Sequence, residues 1–252
     1  MSDRLADRIA LITGAGNGIG RASALALAAD GADVFLIDME ADGVAEAADA
    51  IRETGRRAEF AVADGTDEAA LTRAVATAET AFGRIDILFN NIGQSAREKA
   101  SEFHESEEAT WRFVIETSLM VTMRCSRLVI PGMRDRGHGR VINMSSESAF
   151  FGDVGLVDYA AAKMGVVGFT RALARELAPH GVTVNTVCPG PIRTRAQERL
   201  RPEVIQRIND SIPMGFIGEP EDVAGVVAFL AGDGSRYITG QSILIDGGRW
   251  MV

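Results

Sequence analysis

The sequence has few of the residues that mark disulfide-rich or metal-binding proteins. Its two cysteines, Cys125 and Cys188, form neither a disulfide framework nor a metal-ligand spacing, so we expect both to pack as small apolar groups. The three histidines, His104, His138 and His180, show no metal spacing with other ligands. We therefore expect no metal site.

Long apolar runs and an excess of positive charge are also missing. No segment approaches about 18 consecutive apolar residues, so no transmembrane helix is expected. The first residues, MSDRLADR, lack the apolar segment of a secretory signal. The formal net charge of -9 disfavours nucleic-acid binding. We expect a cytoplasmic protein with a small-molecule substrate, no nucleic-acid partner and no membrane attachment.

Short apolar segments of strand length alternate with amphipathic, alanine-rich segments almost throughout the chain. The strand-like segments cover residues 9–13, 33–38, 58–63, 85–90, 139–145, 182–187 and 242–246. This alternation predicts an α/β fold, a doubly wound parallel sheet with helices on both faces. No linker divides the chain, so we expect a single domain over residues 1–252. An irregular region, about residues 190–215, predicts a substrate loop or lid within that domain.

The stretch TGAGNGIG, residues 13–20, lies between the first predicted strand and a helix. Glycines there let backbone N–H groups approach a pyrophosphate that a β-carbon would obstruct, and the helix N-terminus adds the positive end of its dipole. This order favours dinucleotide binding over an ordinary glycine turn. The candidate residues are Gly14, Gly16, Asn17, Gly18, Ile19 and Gly20.

An acidic residue, Asp38, ends the second predicted strand. A carboxylate at this point can accept hydrogen bonds from a ribose 2′-hydroxyl and would repel a 2′-phosphate. Neither Asn17 nor the neighbouring Met39 supplies a cation for such a phosphate. The pattern predicts NAD rather than NADP as the cofactor, the alternative being an Asp that only begins a loop.

Tyrosine and lysine lie four residues apart in DYAAAK, residues 158–163. On a helix Tyr159 and Lys163 share one face, so the ammonium group can lower the pKa of the phenol from its usual value of about 10. A phenol brought closer to neutrality can act as a general acid and base. Alone, the pair is more typical of a surface helix.

Several further motifs occur together with these. They are NNIG at 90–93, NMSS at 143–146, CPGPIRT at 188–194 and the long C-terminal run GEPEDVAGVVAFLAGDGSRYITGQSILIDGG at 218–248. With TGAGNGIG, Asp64 and YAAAK, they resemble the short-chain dehydrogenase/reductase family over essentially the whole sequence. The resemblance implies a Rossmann-type, doubly wound sheet of about seven parallel strands. It also implies a homodimer or homotetramer.

The resemblance assigns roles to individual residues. It makes Tyr159 the catalytic acid/base and Lys163 its partner, which also holds the nicotinamide ribose, and it makes Ser146 the substrate-orienting serine. Ser145 is the better candidate for a purely structural role. Further cofactor-binding residues implied by the family pattern are Asp64, Gly65, Asn90, Asn91, Gly93, Pro189, Gly190, Ile192 and Thr194.

The chain departs from the family pattern at three positions. Ser118 stands where a catalytic Asn is usual, at a helix irregularity that helps hold a water linking the lysine to solvent. We expect the proton relay through Ser118 to be altered but working. Ile92 replaces the alanine of the usual NNAG, which we interpret as local repacking, and Gly65 replaces a larger apolar residue.

The substrate pocket is expected at the carboxyl ends of the fourth, fifth and sixth strands. Its candidate residues are Gln94, Arg97, Glu147, Phe151, Asp153 and Arg193, with Arg195, Arg199 and Arg201 beyond. Arginines indicate an anionic substrate, whereas the acids favour a polyol or sugar, and the phenylalanine favours a ring. We predict a cyclic secondary alcohol or diol, carrying a carboxylate or sulfonate in the anionic case, with a sugar or polyol as the alternative.

Three functions compete. The first is an NAD-dependent dehydrogenase of secondary alcohols. An NADPH-linked ketoreductase is disfavoured by Asp38. A non-catalytic dinucleotide sensor or scaffold is disfavoured because Ser146, Tyr159 and Lys163 are all present.

Overall fold

A computed structural model describes residues 3–194 and 202–251 of the chain. Seven strands form one sheet in the order β3-β2-β1-β4-β5-β6-β7, and every neighbouring pair is parallel. The strands are β1 (Ile9–Thr13), β2 (Asp33–Asp38), β3 (Ala58–Val62), β4 (Ile87–Asn90), β5 (Gly139–Met144), β6 (Val182–Pro189) and β7 (Ser242–Ile245). The predicted single-domain, doubly wound sheet is confirmed.

Helices cover both faces of the sheet. They are α1 (Gly18–Ala29), α2 (Ala41–Arg52), α3 (Glu68–Phe82), α4 (Glu108–Ile115), α5 (Val121–Arg136), α6 (Ser148–Phe151), α7 (Val157–Leu177), α8 (Pro202–Asp210) and α9 (Pro220–Ala231). One core cluster includes residues of α1, α2 and α9, and a second includes residues of α3, α5 and α7. The central strands are therefore buried on both sides, which explains their nearly continuous runs of Val, Ile and Leu.

The region expected to be irregular and the segment after β5 both contain helices. The region after β6 includes α8, which begins at Pro202, where proline's fixed φ is already helical. The segment after β5 includes the short helix α6. Arg195, Arg199 and Arg201 lie outside the described residues.

A π-helical segment, Glu116–Met120, joins α4 directly to α5. Such segments insert an extra residue into a helix and are frequent at functional sites. The helix irregularity expected around Ser118 is present.

Parallel pairing places the carboxyl ends of all seven strands at one edge of the sheet. The order in which successive strands are added to the sheet reverses between β1 and β4, where connections leave toward opposite sides. In doubly wound sheets ligands bind in the crevice outside this switch point. No helix within the described ranges is long and apolar enough to span a bilayer.

The tight turn at Gly181 offers a test of the fold. Gly181 has φ +69°, and a β-carbon there would lie 2.3 Å from the carbonyl oxygen of Gly137. Gly55 has φ +85° with open space around it. We expect Gly55→Ala to lower the free energy of unfolding by about 1–2 kcal/mol through backbone strain alone. Gly181→Ala adds a backbone clash, so it should cost at least about 2 kcal/mol more.

Chemical unfolding of the two variants beside the unchanged protein measures both costs. Gly55→Ala is the matched control, because its backbone also has positive φ. Equal losses in the two variants would contradict the close approach of Gly181 to Gly137.

Candidate active site

A cleft of about 780 Å³ lies at the carboxyl edge of the sheet, across the switch point. Most of the residues predicted from sequence line it together. They are Gly14, Asn17, Gly18, Ile19, Asp38, Met39, Asp64, Gly65, Asn91, Gly93, Gln94, Arg97, Ser146, Glu147, Asp153, Tyr159, Lys163, Pro189, Gly190, Ile192 and Thr194. Among the predicted residues that the structure describes, six are not part of its lining: Gly16, Gly20, Asn90, Ser118, Phe151 and Arg193.

The glycine loop presents an uncapped helix end to the cleft. Helix α1 begins at Gly18, and the side chain of Asn17 makes no capping hydrogen bond to it. The first N–H groups of an α-helix lack helical partners, so they can bind an anion. Gly20 does not face the cleft, because a β-carbon there would lie 2.0 Å from the carbonyl oxygen of Gly14. The loop fits a pyrophosphate at Gly18, and Gly20 keeps the turn tight behind it.

The carboxylate of Asp38 is buried and oriented by backbone groups. Its Oδ2 accepts a hydrogen bond from the backbone N–H of Gly16 at 2.8 Å, and its Oδ1 accepts one from Glu40 at 2.9 Å. Gly16 is needed beneath it, since a β-carbon there would lie 3.1 Å from the carboxylate. Each oxygen keeps a further lone pair for a ligand hydroxyl.

The cations of the described cleft lining lie at the other end of the cleft. Among the described lining residues the only ones are Arg97, Lys163 and Arg249, whereas Asp38 stands beside Glu40. The carboxylate of Asp38 would repel a phosphate placed at this end of the cleft.

Asp64 and Gly65 follow β3. Asp64 is exposed, and its Oδ1 accepts hydrogen bonds from both the backbone N–H and the hydroxyl of Thr66, each at 2.8 Å. Gly65 is packed closely: a β-carbon there would lie 2.7 Å from Cδ1 of Ile92 and 3.0 Å from Cγ1 of Val121. Ile92 thus fills the space that a side chain at residue 65 would need, so two departures from the family pattern are in contact.

The two asparagines of NNIG have different places. Asn90 is buried beneath the cleft, where its side-chain amide donates to Ser126 Oγ and Asn143 Oδ1, each at 2.9 Å. The expectation that Asn90 lines the cleft therefore does not match the structure, because its side chain points into the sheet–helix interface. Asn91 lines the cleft instead, and its amide donates to the Gly14 carbonyl at 2.9 Å.

Lys163 is almost completely buried at the centre of the cleft wall. Its Nζ donates to the Met144 carbonyl oxygen at 2.9 Å and lies 5.7 Å from the ring centroid of Tyr159. Gly93 makes room for it, since a β-carbon there would be 2.8 Å from Nζ. Burial lowers the pKa of Lys163 to about 8, because desolvation disfavours the ammonium form.

Tyr159 and Ser146 face the same part of the cleft. Burial raises the pKa of Tyr159 above its ordinary value, while a hydrogen bond with Ser146 and the positive charge of Arg97 act in the opposite direction. Lys163 alone therefore does not make the phenol a stronger acid, contrary to the sequence-based expectation, because desolvation is the larger effect. Ser146 Oγ also accepts from the backbone N–H of Ser148 at 3.2 Å.

Ser145 has the structural role expected of it. Its hydroxyl donates to the backbone carbonyl of Lys163 at 2.8 Å.

Ser118, on the π-helical segment, is bonded to the loop after β4. Its hydroxyl donates to the Gln94 carbonyl at 3.1 Å and accepts from the Gln94 backbone N–H at 3.2 Å. Its own carbonyl accepts from Thr122 Oγ1 at 3.4 Å. The Ser118 hydroxyl thus both donates to and accepts from the backbone of Gln94. A direct role of this hydroxyl in a proton relay stays a prediction.

At the substrate end, Arg193 turns away from the cleft. Its Nε pairs with Glu219 Oε1 at 2.9 Å, and its side chain is 60% exposed. In this arrangement the side chain of Arg193 does not reach the cleft. Asp153 lines the cleft and accepts from Ser148 Oγ at 2.5 Å.

Sequence reasoning missed Arg249, which lines the cleft and forms an ion pair with Glu147. Phe151 lies behind this pair, with the Arg249 guanidinium 5.0 Å from its ring centroid. The signal that could have found Arg249 is its place just after the last strand, since that strand also ends at the carboxyl edge. No group of three or more metal-ligating side chains occurs in the part of the chain that the structure describes.

Comparison with known proteins gives consistent matches over nearly the whole chain. A family model described as enoyl-(acyl carrier protein) reductase matches residues 14–249. The short-chain reductase protein NovJ of Streptomyces niveus is 42% identical over 96% of this chain and 94% of its own. The 3-oxoacyl-(acyl-carrier-protein) reductase FabG of Escherichia coli is 38% identical, covering 97% and 98%. The solved structure of levodione reductase superposes with a TM-score of 0.92 and 34% identity, covering 97% and 98%.

Because Ile92 fills the space that a side chain at residue 65 would need, we predict that substitutions at the two positions have coupled effects on stability. Gly65→Ala alone should lower the free energy of unfolding by about 1–3 kcal/mol, because the new methyl group overlaps Ile92 Cδ1. Ile92→Val removes that atom, so the double variant should recover at least about 1 kcal/mol relative to additivity. Chemical unfolding of the single and double variants measures the coupling.

Gly65→Ala combined with Ile245→Val, at the opposite edge of the sheet, is the control and should be additive. An additive Gly65→Ala/Ile92→Val pair would show that the two side chains do not share this space.

The lowered pKa of Lys163 predicts a pH dependence of stability. In the unfolded chain a lysine titrates near about 10.4, so between about pH 8 and about pH 10 the unfolded state binds more protons at this residue than the folded state. Stability from this group therefore rises with pH in that window. Relative to Lys163→Met, the protein should gain about 2 kcal/mol between about pH 7 and about pH 9.5.

Urea unfolding at a series of pH values measures this gain. Lys99→Met changes the other lysine of the chain, which is exposed. Its free energy of unfolding should depend on pH as that of the unchanged protein does. A constant difference between the unchanged protein and Lys163→Met would contradict the lowered pKa.

Proposed function

Since the chain belongs to the short-chain dehydrogenase/reductase family of oxidoreductases, we propose that it interconverts a secondary alcohol and the corresponding ketone with NAD as the cofactor. The observation that carries this proposal is the meeting of Ser146, Tyr159 and Lys163 in one cleft with an uncapped helix end. When bound, the nicotinamide supplies the acceptor or donor of the hydride.

The residues of the cleft supply proton transfer and orientation. The phenol of Tyr159 takes the hydroxyl proton of the alcohol, and returns it in the reverse direction. Ser146 holds the same substrate oxygen, which fixes the reacting carbon. Lys163, fixed by the Met144 carbonyl, holds a ribose hydroxyl and its charge favours the phenolate.

Cofactor choice follows from the charges around Asp38. Its carboxylate, held by the backbone N–H of Gly16, would accept hydrogen bonds from the ribose hydroxyls. This arrangement supports NAD over NADP. Asn17, Ile19 and Met39 complete the adenosine side, with Asp64 and Gly65 beside the adenine, and Asn91, Gly93, Pro189, Gly190, Ile192 and Thr194 surround the nicotinamide side.

A cyclic secondary alcohol or diol is the proposed substrate. The apolar rings of Phe151 and Trp250, with centroids 5.5 Å apart, lie behind Arg249 at the substrate end and support it. The segment over residues 190–215 is the proposed lid, and the residues of its described part that line the cleft are Gly190, Pro191, Ile192, Thr194 and Ile208.

An NADPH-linked ketoreductase is the second candidate function. It is favoured by the relative whose name is 3-oxoacyl-(acyl-carrier-protein) reductase. Against it stands the carboxylate of Asp38, which would repel a 2′-phosphate. A non-catalytic sensor is disfavoured because the three catalytic candidates share one cleft.

We also propose a homodimer or homotetramer formed through α5 and α7. Met123 on α5 and Met164 on α7 are each 38% exposed, and a second groove lies along the same helices. Exposed apolar surface of this kind is typical of subunit contacts. Light scattering after size-exclusion chromatography measures the mass, and a monomer at micromolar concentration would contradict the proposal.

The proposed function is tested by following NAD⁺ reduction in the near ultraviolet over a panel of cyclic secondary alcohols, with a 3-hydroxyacyl thioester included. Tyr159→Phe should lower kcat by about 10²- to 10⁴-fold, because it removes the group that transfers the proton. NAD⁺ should be preferred to NADP⁺, and Asp38→Ser should narrow that preference by about tenfold or more.

Asp42→Ser, which changes an exposed acid of α2, is the control and should keep the preference. A preference of the unchanged protein for NADP⁺ and the thioester would favour the ketoreductase. Turnover that survives in Tyr159→Phe would contradict the role of the phenol.

A further inference from the structure

Arg249 is held in place from two sides. Its Nη1 pairs with Oε1 of Glu147, whose side chain is only 5% exposed. On another side its guanidinium lies 5.0 Å from the ring centroid of Phe151, within the range of a cation–π contact. The side chain of Arg249 remains 22% exposed and borders the cleft. A charged donor group is thus fixed at the substrate end.

The backbone around Arg249 is also fixed. The carboxylate of Asp246 accepts hydrogen bonds from the backbone N–H groups of Gly248 at 2.9 Å and Trp250 at 2.7 Å. Trp250 meets Phe151 edge to face. Because the turn on both sides of Arg249 is tied down, binding a ligand there costs little ordering entropy.

The nearby carboxylates of Glu147, Asp153 and Asp246 each contact other groups of the protein. Oε2 of Glu147 is enclosed against Gly190, where a β-carbon would lie 2.9 Å from it, and it has no partner among the described residues. Asp153 accepts from Ser148, and Asp246 from the backbone. Glu147 therefore supports Arg249 and does not itself reach a ligand.

The remaining N–H donors of Arg249 can only donate, since a guanidinium has no acceptor. Their planar fork matches the two oxygens of a carboxylate and also binds a single carbonyl oxygen. Among the described residues Arg249 forms no other ion pair, whereas Arg193 is paired with Glu219 away from the cleft.

We propose that Arg249, positioned by Glu147, binds the carboxyl-derived group of the substrate, a carboxylate or a neutral acyl carbonyl, and thereby determines substrate specificity. This inference rests on the proposed function and names its substrate class. Glu147 directly follows Ser146, which orients the reacting oxygen. The carboxyl-derived group therefore lies close to the reacting carbinol.

The test compares three alcohols with NAD⁺: 3-hydroxycyclohexane-1-carboxylate, its N-methylamide and 3-methylcyclohexanol. The unchanged protein should have a higher kcat/KM for a carboxyl-bearing member than for 3-methylcyclohexanol. Arg249→Gln should lower that ratio by about 10- to 100-fold, as expected for hydrogen bonds to a charged group. Arg249→Lys should restore part of it. The carboxylate and amide arms tell which of the two forms is bound.

Arg52→Gln, which removes another ion-paired arginine far from the cleft, is the matched control and should keep the ratio. An unchanged ratio in Arg249→Gln, or a loss in Arg193→Gln in its place, would overturn the proposal. So would the absence of any preference for the carboxyl-bearing alcohols in the unchanged protein.

A binding measurement separates this inference from the proposed function. Calorimetry with 3-oxocyclohexane-1-carboxylate and its N-methylamide is carried out on the protein with NAD⁺, a combination in which no hydride transfer is possible. If none of the alcohols is oxidised, the proposed function fails. Binding of either ketone that weakens about tenfold or more in Arg249→Gln still supports the inference. Binding that is absent or insensitive to Arg249→Gln overturns it.

Discussion

Two hydrogen bonds in opposite directions join the end of β5 to the middle of α7. Lys163 Nζ donates to the Met144 carbonyl, and Ser145 Oγ donates to the Lys163 carbonyl. This reciprocal contact fixes the strand end relative to the helix. Ser146 follows directly on the strand side, and Tyr159 lies one turn earlier on the helix. The separation of Ser146 and Tyr159, the two groups proposed to handle the substrate oxygen, therefore depends on this contact.

Burial sets the electrostatic state of the same region. It lowers the pKa of Lys163 to about 8 and raises that of Tyr159. Both shifts have one cause, the removal of charge from water, and both disfavour an ion pair of phenolate and ammonium in the protein alone. The positive charge of an oxidised nicotinamide acts in the opposite direction on the phenol. Deprotonation of the Tyr159 phenol is thus linked to occupancy of the cofactor site.

The sequence predicts the sheet and the cofactor end of the cleft well, because those depend on local patterns. Buried strands are continuous apolar runs, and a glycine loop between a strand and a helix allows few arrangements. Asn90 and Asn91 are harder to separate, since adjacent residues in a strand point to opposite faces and the register decides which faces the cleft. The orientation of Arg249 depends on its contact with Glu147, which is 102 residues away in the sequence, and no local pattern predicts that contact.

The overlap between Gly65 and Ile92 also restricts the order in which sequence changes can accumulate. In a chain of this kind, enlarging residue 65 first places a methyl group 2.7 Å from Ile92 Cδ1, whereas shortening residue 92 first leaves only a small gap. Replacing Ile92 by the common alanine before Gly65 is enlarged therefore avoids a steric clash. Enlarging Gly65 first creates one. Related sequences with a larger residue at position 65 should therefore carry a small residue at position 92, whereas Gly65 is compatible with either.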